Sequence, residues 1–76
     1  MTRRSGKLEL RHISIELDKH LERTGLTLTE LANRVGITLV NLSVLKNNRA
    51  KAIRFSTLEA LCDELECQPG DILKYQ

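Results

Sequence analysis

"TLTELANRVGITLVNLSVLKNN", residues 27–48, reads as two helical stretches hinged on one glycine. Thr27 followed three positions on by Glu30 is the signature of a capping box, in which each side chain satisfies a backbone N–H of the other. Leu28, Leu31, Ala32 and Val35 then recur at the i, i+3, i+4, i+7 positions of one helical face, and Gly36 ends the run. Ile37 is an apolar anchor. Thr38 can cap a second helix whose inward residues, at 100° per residue, are Leu42 and Leu45. On that wheel Val40, Ser43, Val44 and Asn47 lie on the far side, with Leu39 at the flank. A short helix that shows aliphatic side chains to solvent needs a reason.

Working outward, "STLEALCDELE" (residues 56–66) repeats the pattern, with Ser56 and Glu59 as a capping box and Leu58, Leu61, Cys62 and Leu65 as the stripe. Upstream, "KLELRHISIEL" (7–17) alternates like a strand, yet Ile13, Leu17 and Leu21 also fit a helix. The expectation is a helix over about 14–24, entered through an extended segment and ended by Gly25. Downstream, "QPGDILKYQ" (68–76) puts Pro69 where a first helical turn tolerates a missing N–H, so a short closing helix or turn should bury Ile72 and Leu73. Residues 1–7 read as a flexible basic arm, and 8–76 as a single domain.

A chain of 76 residues hides only about 60% of its unfolded surface, which disfavours a deep, walled active site. Trp is absent, with one Phe and one Tyr, so the core must be aliphatic. No apolar run approaches the roughly 20 residues that span a membrane, and no apolar stretch of a signal peptide follows "MTRRSGK". A cytoplasmic protein with no membrane association is expected. Cys62 and Cys67 lack partners at zinc-site spacing, since His12 and His20 lie far upstream, so no metal is expected. The two cysteines read as reduced and structural, on different faces of one helix, with a regulatory disulfide as the alternative, and the two histidines as surface residues. Nothing resembles a nucleophile with its base, so neither an enzyme, a cofactor nor a small-molecule substrate is expected.

The net charge of +2 conceals a polarity. Residues 31–54 carry Arg34, Lys46, Arg49, Lys51 and Arg54 without an acid, whereas 55–76 carry Glu59, Asp63, Glu64, Glu66 and Asp71 against Lys74 alone. Phosphate attraction is felt within a Debye length of about 8 Å, so a local basic stretch matters more to a polyanion than the total charge. A helix, a tight glycine turn and a second short helix with an open far side form the helix-turn-helix layout, whose second helix enters a DNA major groove. The basic "KNNRAKAIR" (46–54) follows at once. RNA would suit the charge equally, but aromatic platforms for single-stranded bases are missing.

From about Ile13 to Tyr75 the chain resembles the small Cro/C1-type (XRE family) helix-turn-helix transcriptional regulators. The matching marks are "TxxELAxxxGIT" at 27–38, Leu42-Ser43 in the following helix, "TLEALCDEL" at 57–65 and "CQPGDIL" at 67–73. The resemblance implies an all-α, compact five-helix domain of the lambda-repressor-like DNA-binding fold, acting on double-stranded DNA as a repressor or activator, as a homodimer or with a partner regulator. It puts the recognition helix at residues 38–46 and the base-facing side chains at Thr38, Leu39, Val40, Ser43, Val44 and Asn47. Thr27, Leu28, Asn41, Asn48, Arg49, Lys51 and Arg54 fall at positions suited to phosphate. Arg3 and Arg4 would serve a minor groove. Two departures stand out: Leu28 occupies a place where many members have Gln, and three base-facing positions are aliphatic.

Those aliphatics admit two readings. In a major groove they pack on thymine methyls but form none of the bidentate contacts that each discriminate by about 1–3 kcal/mol, leaving affinity to phosphates and preference to Ser43, Asn47 and DNA shape. Alternatively, Leu39, Val40 and Val44 form a docking patch for another protein on a reused helix-turn-helix scaffold. The cations of 34–54 favour the first, because an apolar docking surface does not require them.

Overall fold

Leu17, Leu31, Leu42, Leu61, Leu65 and Ile72 converge on one fully buried centre, and the chain is arranged to bring them there. The structure, a computed structural model, describes residues 12–75. It runs β1 (Ile13–Ile15), α1 (Asp18–Thr24), α2 (Leu28–Val35), α3 (Leu39–Lys46), α4 (Phe55–Leu65), α5 (Pro69–Ile72) and β2 (Leu73–Tyr75). Leu58, Leu45 and Ala32 complete the buried cluster, with Ile37 and Ile53 packed on its margin. Burying each Leu or Ile is worth about 1.5–3 kcal/mol, so a few such side chains decide whether a domain this small stays folded.

The five expected helices are present, but the chain is not all-α. β1 and β2 form a two-stranded antiparallel sheet in the register Ile13↔Tyr75, Ser14↔Lys74, Ile15↔Leu73, extended by a 2.8 Å bond from the Glu16 N–H to the Ile72 carbonyl. The first helix therefore begins at Asp18, four residues later than the apolar spacing suggested. Of its supposed stripe, Ile13 is 58% exposed whereas Leu17 is buried. The β-branched pair Ile13 and Ile15 takes the strand because a partner from the far end of the sequence satisfies its backbone, and that partner leaves no local trace.

α2 starts as expected: the Thr27 hydroxyl accepts from the Glu30 N–H at 3.1 Å and the Glu30 carboxylate accepts from the Thr27 N–H at 2.8 Å. Gly36 closes it at φ 88°, a left-handed conformation that glycine adopts without a Cβ penalty. That bend turns the chain so that α2 packs against both α3 and α4. The box expected at Ser56 and Glu59 does not form. α4 starts at Phe55, two residues before the first position that Ser56 could cap, with Arg54 at the cap and no side-chain bond. At the start of α5 the Asp71 carboxylate instead accepts from the Gln68 N–H at 3.0 Å, the return half of such a box.

His20 is buried rather than on the surface, at 5% exposure. Its Nε2 lies 3.0 Å from the Asp71 carbonyl oxygen and its Nδ1 3.1 Å from Nη2 of Arg23, which also donates to the Leu65 carbonyl at 2.6 Å. Since arginine only donates, Nδ1 accepts and Nε2–H donates, which is the neutral tautomer. The ring thus joins α1 to α5, and Arg23 joins α1 to the end of α4. Cys62 and Cys67 also depart from expectation, because the helix ends between them and folds Cys67 back beside Cys62 rather than onto another face.

Candidate nucleic-acid interface

α3 is the element on which the interface depends, and both of its ends are tied down. At its start the Thr38 hydroxyl accepts from the Asn41 N–H at 3.0 Å. At its end Lys46 Nζ meets Asp18 Oδ1 at 3.1 Å. Beyond it Asn48, at φ 60°, turns its side-chain oxygen to accept from the Ile15 N–H of β1. A non-glycine residue is tolerated there because asparagine is among the few that enter the left-handed region readily. The helix is held against the sheet and α1 while its other side stays open.

Leu42 and Leu45 face the core, as the wheel requires. On the outer side Val40 is 71% and Leu39 45% exposed; Thr38, Asn41 and Asn47 are also exposed, while Ser43 and Val44 are half-buried. Asn47 Nδ2 donates to Ser43 Oγ at 3.2 Å. The pair forms one polar spot on a largely aliphatic surface.

Beside this face, the loop from α3 to α4 builds an open groove of about 470 Å³, lined by Asn41, Val44, Arg49, Lys51 and Arg54 over an apolar floor at Ile37 and Ile53. Among the described residues, Arg49, Lys51 and Arg54 take part in no ion pair, whereas Lys46 is held by Asp18 and Arg34 lies 3.5 Å from Glu64. The acid-free stretch of sequence thus divides in two. Two of its five cations are partnered by acids from distant segments, and three converge on one groove. Sequence spacing alone could not separate them.

The other expected phosphate positions are more mixed. The Leu28 side chain packs against the core, so only its backbone N–H is left for a phosphate. The capping box uses the Thr27 N–H and hydroxyl and sets the Glu30 carboxylate at the same end of α2. That carboxyl is held below its ordinary range, first by the Thr27 backbone N–H and then by its hydroxyl. A phosphate arriving there would meet a negative charge. Asn48 has its oxygen engaged, leaving only its NH2. Arg3 and Arg4 lie outside the described residues. Among those described, no group of three or more His, Cys, Asp or Glu is placed to hold a metal ion, and no helix is long and apolar enough to cross a membrane.

Comparison with known proteins agrees with this geometry. Residues 16–76 match the family model of the Cro/C1-type HTH DNA-binding domain. Over 64 residues the chain is 61% identical to the uncharacterized HTH-type transcriptional regulator YozG of Bacillus subtilis (strain 168), an overlap covering 84% of this chain and 76% of that protein. Its structure is similar to the crystal structure of the transcriptional regulator VanUg, with a TM-score of 0.72 and 27% identity over 87% of each chain.

Proposed function

Because the chain belongs to the Cro/C1-type helix-turn-helix DNA-binding family, whose work is DNA-binding transcription regulation, we propose that α3 lies in a major groove while Arg49, Lys51 and Arg54 hold the flanking phosphates. One observation carries this reading: three cations that have no acid partner among the described residues line a groove that opens beside the exposed side of α3. Neutralising a phosphate releases condensed counterions, so affinity is supplied there and should fall steeply with salt. Leu39, Val40 and Val44 supply methyl contacts, and the Ser43–Asn47 pair supplies the hydrogen bonding to base edges. Thr38 and Asn41 flank them. At the N-terminus of α2 the backbone N–H groups left over from the capping box serve a phosphate more weakly, because Glu30 opposes it.

Sequence discrimination by one such helix is small, since a single helix reads only a few base pairs. A homodimer, or a partner regulator, placing two helices about 34 Å apart would multiply it. The work is done in the cytoplasm, as befits a regulator of transcription. The exposure of Leu39 and Val40 also suits a docked protein, and one titration separates the two. Duplexes of varied sequence, including DNA upstream of the protein's own gene, should shift the amide resonances of Leu39, Val40, Ser43 and Asn47 together with Arg49 and Lys51. If those resonances stay in place, α3 does not enter DNA and its aliphatics serve a protein.

A further inference from the structure

α4 ends in a left-handed turn whose two closing bonds are both present. Glu66 adopts φ 52°, its N–H points to the Asp63 carbonyl at 3.4 Å, and the Cys67 N–H bonds to the Cys62 carbonyl at 3.0 Å. These are the paired bonds of a Schellman motif, in which the side chains at the two ends of the longer bond meet, ordinarily as an apolar contact. Here both ends are cysteine. In an uninterrupted helix five positions would separate the two by about 140°; the turn at Glu66 brings them to one place instead. Both thiols are free and line an apolar groove with Phe55, Leu58 and Pro69. Cys62 stands near enough that its charge helps to raise the Cys67 thiol.

We propose that Cys62 and Cys67 form a reversible dithiol–disulfide site, oxidised within one chain by a peroxide. A Cys62 thiolate attacks one peroxide oxygen, the O–O bond breaks, and the departing hydroxide takes a proton and leaves as water. Cys62 is then a sulfenic acid. Cys67 gives up its proton and attacks the Cys62 sulfur, the S–O bond breaks, and the hydroxyl leaves with that proton as a second water. The thiols lose two electrons and the peroxide gains them; a dithiol reductant reverses the result by exchange. Burial above all, with the charges of Cys62 and Asp71, pushes the Cys67 thiol up, which keeps it protonated until the second step. Such pairs in a reducing compartment are transient and sensing rather than structural. Neither cysteine lines the Arg49–Arg54 groove, so the site stands independently of DNA contact.

The full chain, fully reduced and freed of reductant, is treated with hydrogen peroxide in the presence of dimedone, which traps sulfenic acids. The intact protein should lose two hydrogens in mass and both titratable thiols, recover both with dithiothreitol, and carry little dimedone. Cys67→Ser, with Cys67→Ala as a second variant should serine disturb the turn, should instead carry one dimedone at Cys62. The inference is overturned if the natural chain itself accumulates dimedone adduct, goes on to sulfinic acid or links to a second chain. It is equally overturned if both thiols stay titratable at doses that label either variant.

Discussion

Replacing Asn48 tests the anchoring of α3 directly, because this residue combines a left-handed backbone with a side chain that accepts from the Ile15 N–H of β1. Asn48→Ala removes that acceptor, worth about 1 kcal/mol, and puts a Cβ without a compensating polar group into a conformation that costs about 1 kcal/mol more. The sum is about 2 kcal/mol. For a domain of this size each kcal/mol moves the melting temperature by about 4–8 °C, so a fall of about 8–16 °C is expected. Asn48→Gly restores the backbone and loses only the bond, which halves the fall. Asn48→Asp keeps an acceptor and a residue at ease with positive φ, and should melt near the natural protein. Thermal denaturation followed by circular dichroism gives the order Ala, Gly, then Asp with the parent. A glycine variant no more stable than the alanine one would show that backbone conformation plays no part. An alanine variant melting within about 2 °C of the parent would mean that the tie to β1 does not hold α3.

Other expectations follow from residues already placed. Leu42→Ala empties a fully buried site and should cost about 2–5 kcal/mol by thermal melting; Val44→Ala, half-buried at the groove, should cost under about 1 kcal/mol yet change preference among DNA sites, and the reverse outcome would invert the assignment of the two faces. Arg49→Ala and Lys51→Ala should each lower the slope of log affinity against log salt by about 0.9, equally on all sequences; an unchanged slope removes that side chain from the phosphates. Glu30 and Asp71 are held below their ordinary values chiefly by the backbone N–H groups of Thr27 and Gln68. Depressed folded values mean that the unfolded chain takes up protons first, so the contribution of these caps is complete above about pH 5 and lost as the pH falls through 4 and below. Glu30→Gln with Asp71→Asn should flatten the melting temperature over that window, and an unaltered profile would dissociate the caps from acid sensitivity.

How much of this was legible in the sequence differs from element to element for a physical reason. α2, its box, the Gly36 turn and the inward pair Leu42 and Leu45 are set by interactions three to eight residues apart, and each appears where the spacing puts it. β1, the burial of His20 and the partnering of Lys46 by Asp18 depend on segments far apart in the chain. Nothing local announces them. The Ser56 box illustrates competition: Ser56 had the right residue type and spacing, but α4 gains two residues by starting at Phe55 and leaves Arg54 at its cap. At the interface, the residue types of the outer face of α3 were readable, whereas which cations are claimed by acids was not, because the acids that claim Lys46 and Arg34 come from α1 and α4.

The antiparallel pairing of Ile13 with Tyr75 joins positions 62 apart, and closing so long a span costs on the order of 4 kcal/mol in chain entropy before any contact repays it. The stitch should therefore form late in folding, after the helices have met, and be the first part to open. It also places residues 12 and 75 at one corner of the molecule. A circular permutant that joins residue 75 to residue 12 by a short linker and is cut in the loop between α3 and α4 would keep its helices in register.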